Sequence, residues 1–241
     1  MTSASTRVVS SDLGFVVSEP IDLVLQIAVA ATAGTVLSEA FDVRIDGESI
    51  DHVEEIEGPH GARLHALDSP RGHLTISYRA EIDTAPPEPS AGAVGVVPAR
   101  EYAELVYLRP SRYCPTDHLV GFALAEFGTT DPACRVDSIM EWIWQRIEYL
   151  PGSGSVHDSA EDTLLTGMGT CRDFAHLGVA MCRALELPAR FTAVYAPGLS
   201  PMDFHAVVEV CEDGTWRLED PTRLAPRSAM VRIMSSVKQE G

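Results

Sequence analysis

No run in the chain approaches the roughly 18 uninterrupted apolar residues of a membrane-spanning helix. The opening stretch MTSASTRVVSSDLGF also lacks the basic region followed by an apolar one that marks a secretory leader. These two absences lead to the expectation of a soluble, cytoplasmic protein without a membrane partner. Basic residues are scarce: 18 Lys and Arg stand against 35 Asp and Glu, a formal charge of -17. Such a field repels a phosphate backbone at long range, so nucleic acid is excluded as a partner, and the acidic excess reads as a solubilising surface. The five cysteines (Cys114, Cys134, Cys171, Cys182, Cys211) contain no C-x-x-C pair and are odd in number. A disulfide framework is therefore not expected, and each cysteine reads first as a small buried apolar residue.

Metal and cofactor signals are missing too. The acidic residues form no EF-hand loop, and Cys171 and His176 are spaced so that they do not share a helix face as a zinc pair would. The string GMGTCR places Arg172 where a dinucleotide fingerprint needs its third glycine, and it is not a P-loop. No cofactor and no metal are expected. What the chain does contain is 241 residues with 45% hydrophobic and 22% charged content, which excludes disorder, collagen and coiled coil and leaves room for one large domain or two modest ones. Nothing in the sequence signals an oligomeric state.

The first third reads as strands. From His73 to Ile82, Leu74, Ile76, Tyr78, Ala80 and Ile82 alternate with polar residues, the period-two pattern of a sheet with one buried face. Runs at Ile21–Ala30 and Ala40–Ile45 are also rich in strand formers, with turn signals at Asp46-Gly47 and Pro59-His60-Gly61. Residues 1–84 are accordingly expected to form a small β-sandwich. The Pro-, Gly- and Ala-dense segment 85–98 reads as a linker, and 99–241 as a second domain.

Beyond the linker the period becomes helical. In Asp131–Tyr149, Val136, Ile139, Met140, Ile143 and Ile147 recur at three- and four-residue steps, with Asp131 as N-cap and Pro132 at the first helical position. A second helix is expected over Thr170–Glu186, with Thr170 as N-cap, Pro188 beyond its end and one buried face formed by Phe174, Leu177, Gly178, Met181 and Leu185. Strands at Arg190–Ala196, Phe204–Val210 and Thr215–Asp220 follow, the last two joined at Glu212-Asp213-Gly214, a hairpin signal. A helix followed by an antiparallel sheet is an α+β arrangement.

Cys171 stands at the start of that second helix, where first-turn amides favour a thiolate and can donate to a developing oxyanion. Position alone leaves a nucleophile and a buried cysteine closing a turn equally open. Alternation places His205, Val207 and Glu209 on one face of their strand and Trp216, Leu218 and Asp220 together on the next. A hairpin of suitable register sets Asp220 beside His205, and a thiolate, a base and an orienting carboxylate are then available. His157, in the loop before the helix, reads as a solvated histidine.

Three blocks occur in order: LLTGMGTCRDFAHLGVAMCRALELPARFTAVYA, then DFHAVVEV, then WRLEDPTRLAP. Over about Glu161–Pro226 they resemble the core of bacterial transglutaminase-like proteins, often described as cysteine proteases, with a weaker echo at Tyr107–Asp117. Residues Thr6–Ile82 resemble the β-rich region that often precedes that core. The resemblance implies a papain-like fold, with the family's catalytic cysteine at Cys171, its histidine at His205 and its aspartate at Asp220. It also implies acyl transfer through a thioester on a peptide or protein amide. Hydrolysis is the preferred outcome, with transfer to an amine or a non-catalytic peptide-binding module as alternatives. Many members carry Trp where this chain has Val207, a departure that touches local packing and the substrate groove.

Overall fold

The computed structural model describes residues 6–50, 52–84 and 105–236. The expected linker, 85–98, lies outside the described residues. Two units divide the described chain: one comprises the residues up to Thr84 with Val231–Met234, the other those from Leu105 to Met230 with Ser235 and Ser236.

The first unit is built on two antiparallel sheets. One has the order β1 (Thr6–Val17), β7 (Gly72–Asp83), β3 (Thr35–Ile45), β4 (Glu48–Ser49); the other is β2 (Ile21–Leu25), β6 (Arg63–Ser69), β5 (Glu54–Glu57). Strand β7 lies centrally, paired from Thr6↔Asp83 to Val17↔Gly72 on one side and with β3 on the other. Its alternation is realised in burial, since Leu74, Ile76, Tyr78, Ala80 and Ile82 are all buried. Asp46 and Gly47 take positive φ (50° and 88°), the geometry that a tight hairpin between β3 and β4 requires. The two sheets meet where Phe41 stacks on His65 at 4.3 Å and where Arg63 bonds Glu39 at 2.7 Å. The strand expected over Ile21–Ala30 ends at Leu25, and Ile27 to Ala30 are buried beyond its end.

In the second unit, helices α1 (Thr116–Phe127), α2 (Arg135–Arg146), α3 (Ala160–Thr166) and α4 (Cys171–Ala184) accompany antiparallel strands β12 (Thr215–Glu219), β11 (Phe204–Glu212) and β10 (Ala189–Tyr195), which lie side by side in that order. A two-stranded parallel pair, β8 (Glu148–Tyr149) with β9 (Met168–Gly169), joins the segment after α2 to the approach to α4. Asp131 caps a short 3₁₀ turn at Pro132–Cys134 ahead of α2, its carboxylate accepting from the Ala133 N–H at 3.0 Å. Val136, Ile139, Met140 and Ile143 form the buried stripe of α2.

Helix α4 departs from the expected single buried face: every residue from Asp173 to Ala184 is buried. A helix carrying polar groups tolerates burial on all sides only where those groups find partners. Arg183 does so by donating from Nε to the Ala189 carbonyl and from Nη1 to the Arg109 carbonyl, each at 2.8 Å. His176 is stacked on Tyr113 at 5.1 Å, and burial pushes its imidazole down to about 4, so it is neutral. Gly178 allows the helix to dock closely on the sheet: a β-carbon there would lie 2.8 Å from Cγ2 of Val208 on β11. Phe174, Leu177, Met181, Ala206, Val208 and Val210 share the resulting core. This packing sets the N-terminus of α4 relative to the strand that carries His205.

Candidate active site

Cys171 is the first residue of α4, and the chain before it is held on both sides. Helix α3 ends at Gly167 in the left-handed conformation (φ 70°), which frees the next residues to turn and pair as β9. Thr170 is extended and caps α4. The Asp173 carboxylate closes a capping box, its Oδ2 accepting from the backbone N–H and the hydroxyl of Thr170, each at 2.8 Å. Its Oδ1 takes Nε and Nη2 of Arg172 at 3.0 and 2.7 Å, and Arg172 donates onward to the Ser155 carbonyl at 2.6 Å. Asp173 is 2% exposed, so this network is a rigid seat for the turn that presents Cys171. The first-turn amides of Cys171 and Arg172 have no acceptor within the helix and point toward whatever occupies its N-terminus. Cys171 itself is half-buried, whereas Cys114, Cys182 and Cys211 are buried and Cys134 is exposed.

His205 is the second residue of β11 and is 2% exposed. The β11–β12 hairpin closes through Asp213 and Gly214, both at positive φ, and its register pairs Val208 with Glu219 and Glu209 with Leu218. Continued past the end of β12, that register puts Asp220 one diagonal step from His205 on the same face. The bond is made: Nε2 of His205 lies 3.1 Å from Oδ2 of Asp220, both side chains being 1% exposed. Oδ1 of Asp220 accepts from the Thr222 hydroxyl at 2.7 Å and the Thr222 N–H at 3.0 Å. Nδ1 of His205 is buried and makes no well-directed hydrogen bond among the described residues, and Cys171 is near enough to act on this ring.

Burial works against a charged His205. The hydrogen bond and charge of Asp220, together with the neighbouring Cys171, outweigh it and push the imidazole up to about 9. For Asp220, burial opposes ionisation, but the hydrogen bond and charge of His205 and the two bonds from Thr222 hold the carboxyl below its ordinary range. By contrast, burial pushes the thiols of Cys114 and Cys182 up to about 11 and about 12. Beside Asp220 lies a cavity of about 660 Å³ walled by Asp137, Met140, Glu141 and the segment Arg223–Arg227. Among the described residues, no group of three or more His, Cys, Asp or Glu side chains is placed to hold a metal ion. His157 is exposed in its loop.

The structure thus brings Cys171, His205 and Asp220 together from three separate elements. Two residues of the same cluster, Asp173 and Thr222, go unremarked in the reading of the sequence. Each has a local signal, since Thr170 with Asp173 makes a T-x-x-D capping pattern and Asp220-Pro221-Thr222 is a turn in which a carboxylate bonds the backbone two residues on.

The profile of the Transglutaminase-like superfamily matches residues 123–221, a span that includes all three side chains. A crystal structure from Cytophaga hutchinsonii, of a protein named "putative cysteine protease", superposes with a TM-score of 0.84 at 32% identity, covering 98% of this chain and 83% of that one. An uncharacterized protein of Mycobacterium leprae is 28% identical over 136 residues, 54% of this chain and 48% of that protein, so the chain spans about half the length of this curated relative. The periplasmic domain of TgpA from Pseudomonas aeruginosa is 16% identical, with a TM-score of 0.46 over 95% of this chain and 78% of that one. With a matching family profile over the helix and strands of the site and a relative that is 32% identical across 83% of its own length, the chain belongs to the transglutaminase-like superfamily.

Proposed function

We propose that the protein is a thiol acyl-transfer enzyme acting on amide or isopeptide bonds of peptide or protein substrates, with Cys171 as nucleophile, His205 as acid and base, and Asp220 as the group that orients the histidine. The observation that carries this reading is the state of His205: Nε2 is fixed on Asp220 at 3.1 Å, buried Nδ1 takes no hydrogen-bond partner among the described residues, and Cys171 is near enough to act on the ring. An imidazole whose Nε2–H is given to a carboxylate keeps its other ring nitrogen free to take a proton from a thiol, as a Cys–His pair needs.

The reaction follows from those positions. The Cys171 thiolate adds to the carbonyl carbon, forming a C–S bond and moving the carbonyl π pair onto oxygen. As the tetrahedral intermediate collapses, the C–N bond breaks and His205 passes its proton to the departing amine, leaving a thioester. Water then attacks that carbonyl, His205 accepts its proton, and the C–S bond breaks to release a carboxylic acid and restore the thiolate beside the imidazolium. Hydrolysis is the outcome we favour, since water is always present and an amine acceptor is not.

The test is turnover of a fluorogenic peptide library by the full chain and by Cys171→Ala, with and without added primary amine, the products being weighed by mass spectrometry. Acid products that vanish in Cys171→Ala support the reading. Products gaining the mass of the amine instead would make the enzyme a transferase. Cleavage that survives in Cys171→Ala would remove the thiol mechanism.

A further inference from the structure

Tyr149 is held beside Cys171 by residues on both sides of it in the chain. In the parallel β8–β9 pair Tyr149 stands opposite Gly169, with the Glu148 N–H donating to the Gly167 carbonyl at 2.8 Å and the Leu150 N–H to the Gly169 carbonyl at 3.0 Å. These bonds clamp Tyr149 to the run that leads directly into Thr170 and Cys171. From the other side, its ring meets the ring of Phe174 edge-on, with centroids 5.9 Å apart and planes at 64°. Phe174 is fully buried in the first turn of α4, whereas Tyr149 is 37% exposed. The ring is therefore anchored at its base and open at its outer part, next to the helix N-terminus. Among the described residues the hydroxyl takes no hydrogen-bond partner.

The surroundings decide what that hydroxyl can do. Partial burial first, and then the negative charges available to Cys171, Asp203 and Asp220, hold the phenol above its ordinary range, so it keeps its proton across neutral pH. A phenol that stays un-ionised keeps its O–H available as a neutral hydrogen-bond donor. Addition of a thiolate to an amide places negative charge on the carbonyl oxygen, and that charge needs donors aimed at it. The Cys171 amide at the helix N-terminus can supply one. We propose that Tyr149 is the second oxyanion donor of this site, its hydroxyl hydrogen-bonding the substrate carbonyl oxygen as Cys171 adds to the carbonyl carbon. The phenol keeps its O–H bond throughout: the electron pair that moves onto oxygen during addition returns to re-form C=O when the amine leaves. This inference rests on the acyl-transfer reading above.

Tyr149→Phe retains the ring, the contact with Phe174 and the strand pair, and removes only the donor. Two rates on the full chain separate the possibilities, with Cys171→Ala as baseline: the burst of 4-nitrophenolate on acylation by 4-nitrophenyl acetate, which passes through an oxyanion, and alkylation of Cys171 by iodoacetamide, which does not. The expected result is acylation slowed by about a hundredfold in Tyr149→Phe with alkylation unchanged. Equal acylation by parent and variant would overturn the role of Tyr149 and leave the acyl-transfer reading standing. A parallel fall in both rates would also overturn it, because Tyr149 would then be placing the thiol. A parent protein that shows no Cys171-dependent burst would remove both readings together.

Discussion

Thr222 holds Asp220 from the side away from the imidazole: its hydroxyl and N–H both donate to Oδ1, at 2.7 and 3.0 Å, while Oδ2 faces Nε2 of His205 at 3.1 Å. The carboxylate is thereby fixed in rotation and kept ionised despite its burial. Thr222→Val preserves the shape and removes one of the two bonds. The expected outcome is a loss of about 1.5–3 kcal/mol in stability, typical of a lost hydrogen bond to a charged group. The basic limb of the pH–rate profile should also move to lower pH, because a less firmly held Asp220 supports His205⁺ less well. Thr222→Ser should restore the profile. Denaturant melts and pH–rate curves of the three proteins check this, and an unmoved basic limb in Thr222→Val would show that Thr222 only packs.

The two shifted groups also set a pH window for stability. His205 is raised to about 9 in the folded protein, above an unfolded value of about 6.5, so its contribution is complete below about 6.5 and disappears as pH rises through about 9. Asp220 is depressed, so its contribution is present above its unfolded value of about 3.9 and is lost as pH falls through the lower, folded value. Both are complete together between about pH 4 and 6.5. The stability gap between the parent and Asp220→Asn should therefore be widest in that window and narrow toward pH 9 and above. Urea melts at a series of pH values measure it, and a gap that is flat from pH 5 to 10 would contradict the pairing.

Gly178 offers a packing test of how the site is held together. Adding its β-carbon places it 2.8 Å from Cγ2 of Val208, closer than such atoms approach without displacement. Overpacking of this kind costs about 1–3 kcal/mol, against a gain of about 1 kcal/mol in helix propensity from Gly to Ala. Gly178→Ala in the parent should thus lose up to about 2 kcal/mol. In a Val208→Ala background, where the opposing methyl groups are gone, the same change should be neutral or stabilising. Additive effects in the double variant would mean that the helix and strand adjust independently.

Much of this arrangement was legible in the chain because local chemistry and tertiary need coincide. Strand β7 alternates because one face is buried, Asp213-Gly214 supplies the positive φ of the β11–β12 hairpin, and the blocks around Cys171, His205 and Asp220 carry the family resemblance. The burial of α4 on all sides was not legible, since Asp173, His176 and Arg183 read as a polar face until Thr170, Tyr113 and the carbonyls of Ala189 and Arg109 supply their partners. The place of Tyr149 was hidden for a different reason. A parallel pair of two residues on each strand, Glu148–Tyr149 with Met168–Gly169, is too short to leave a periodic trace.

The last expectation concerns the thiols, which the fold sorts into separate environments. Cys114 and Cys182 are buried with their thiols pushed up to about 11 and about 12, so neither ionises near neutrality, and Cys211 is buried as well. That leaves half-buried Cys171 and exposed Cys134 as the accessible pair. Exposure alone favours Cys134. An imidazole that keeps its proton up to about 9 puts a positive charge beside Cys171 at pH 6, where an ordinary thiol with a value of about 8.5 is less than 1% ionised. Iodoacetamide at pH 6 should therefore modify Cys171 at least about tenfold faster than Cys134, reversing the order that access would give. His205→Ala should slow Cys171 to the rate of Cys134 or below and leave Cys134 untouched, while Cys182→Ala should change neither. Mass spectrometry of the two tryptic peptides over time gives both rates in one sample. If Cys134 reacts first in the parent protein, the imidazole is not activating the sulfur, and the acyl-transfer reading loses its nucleophile.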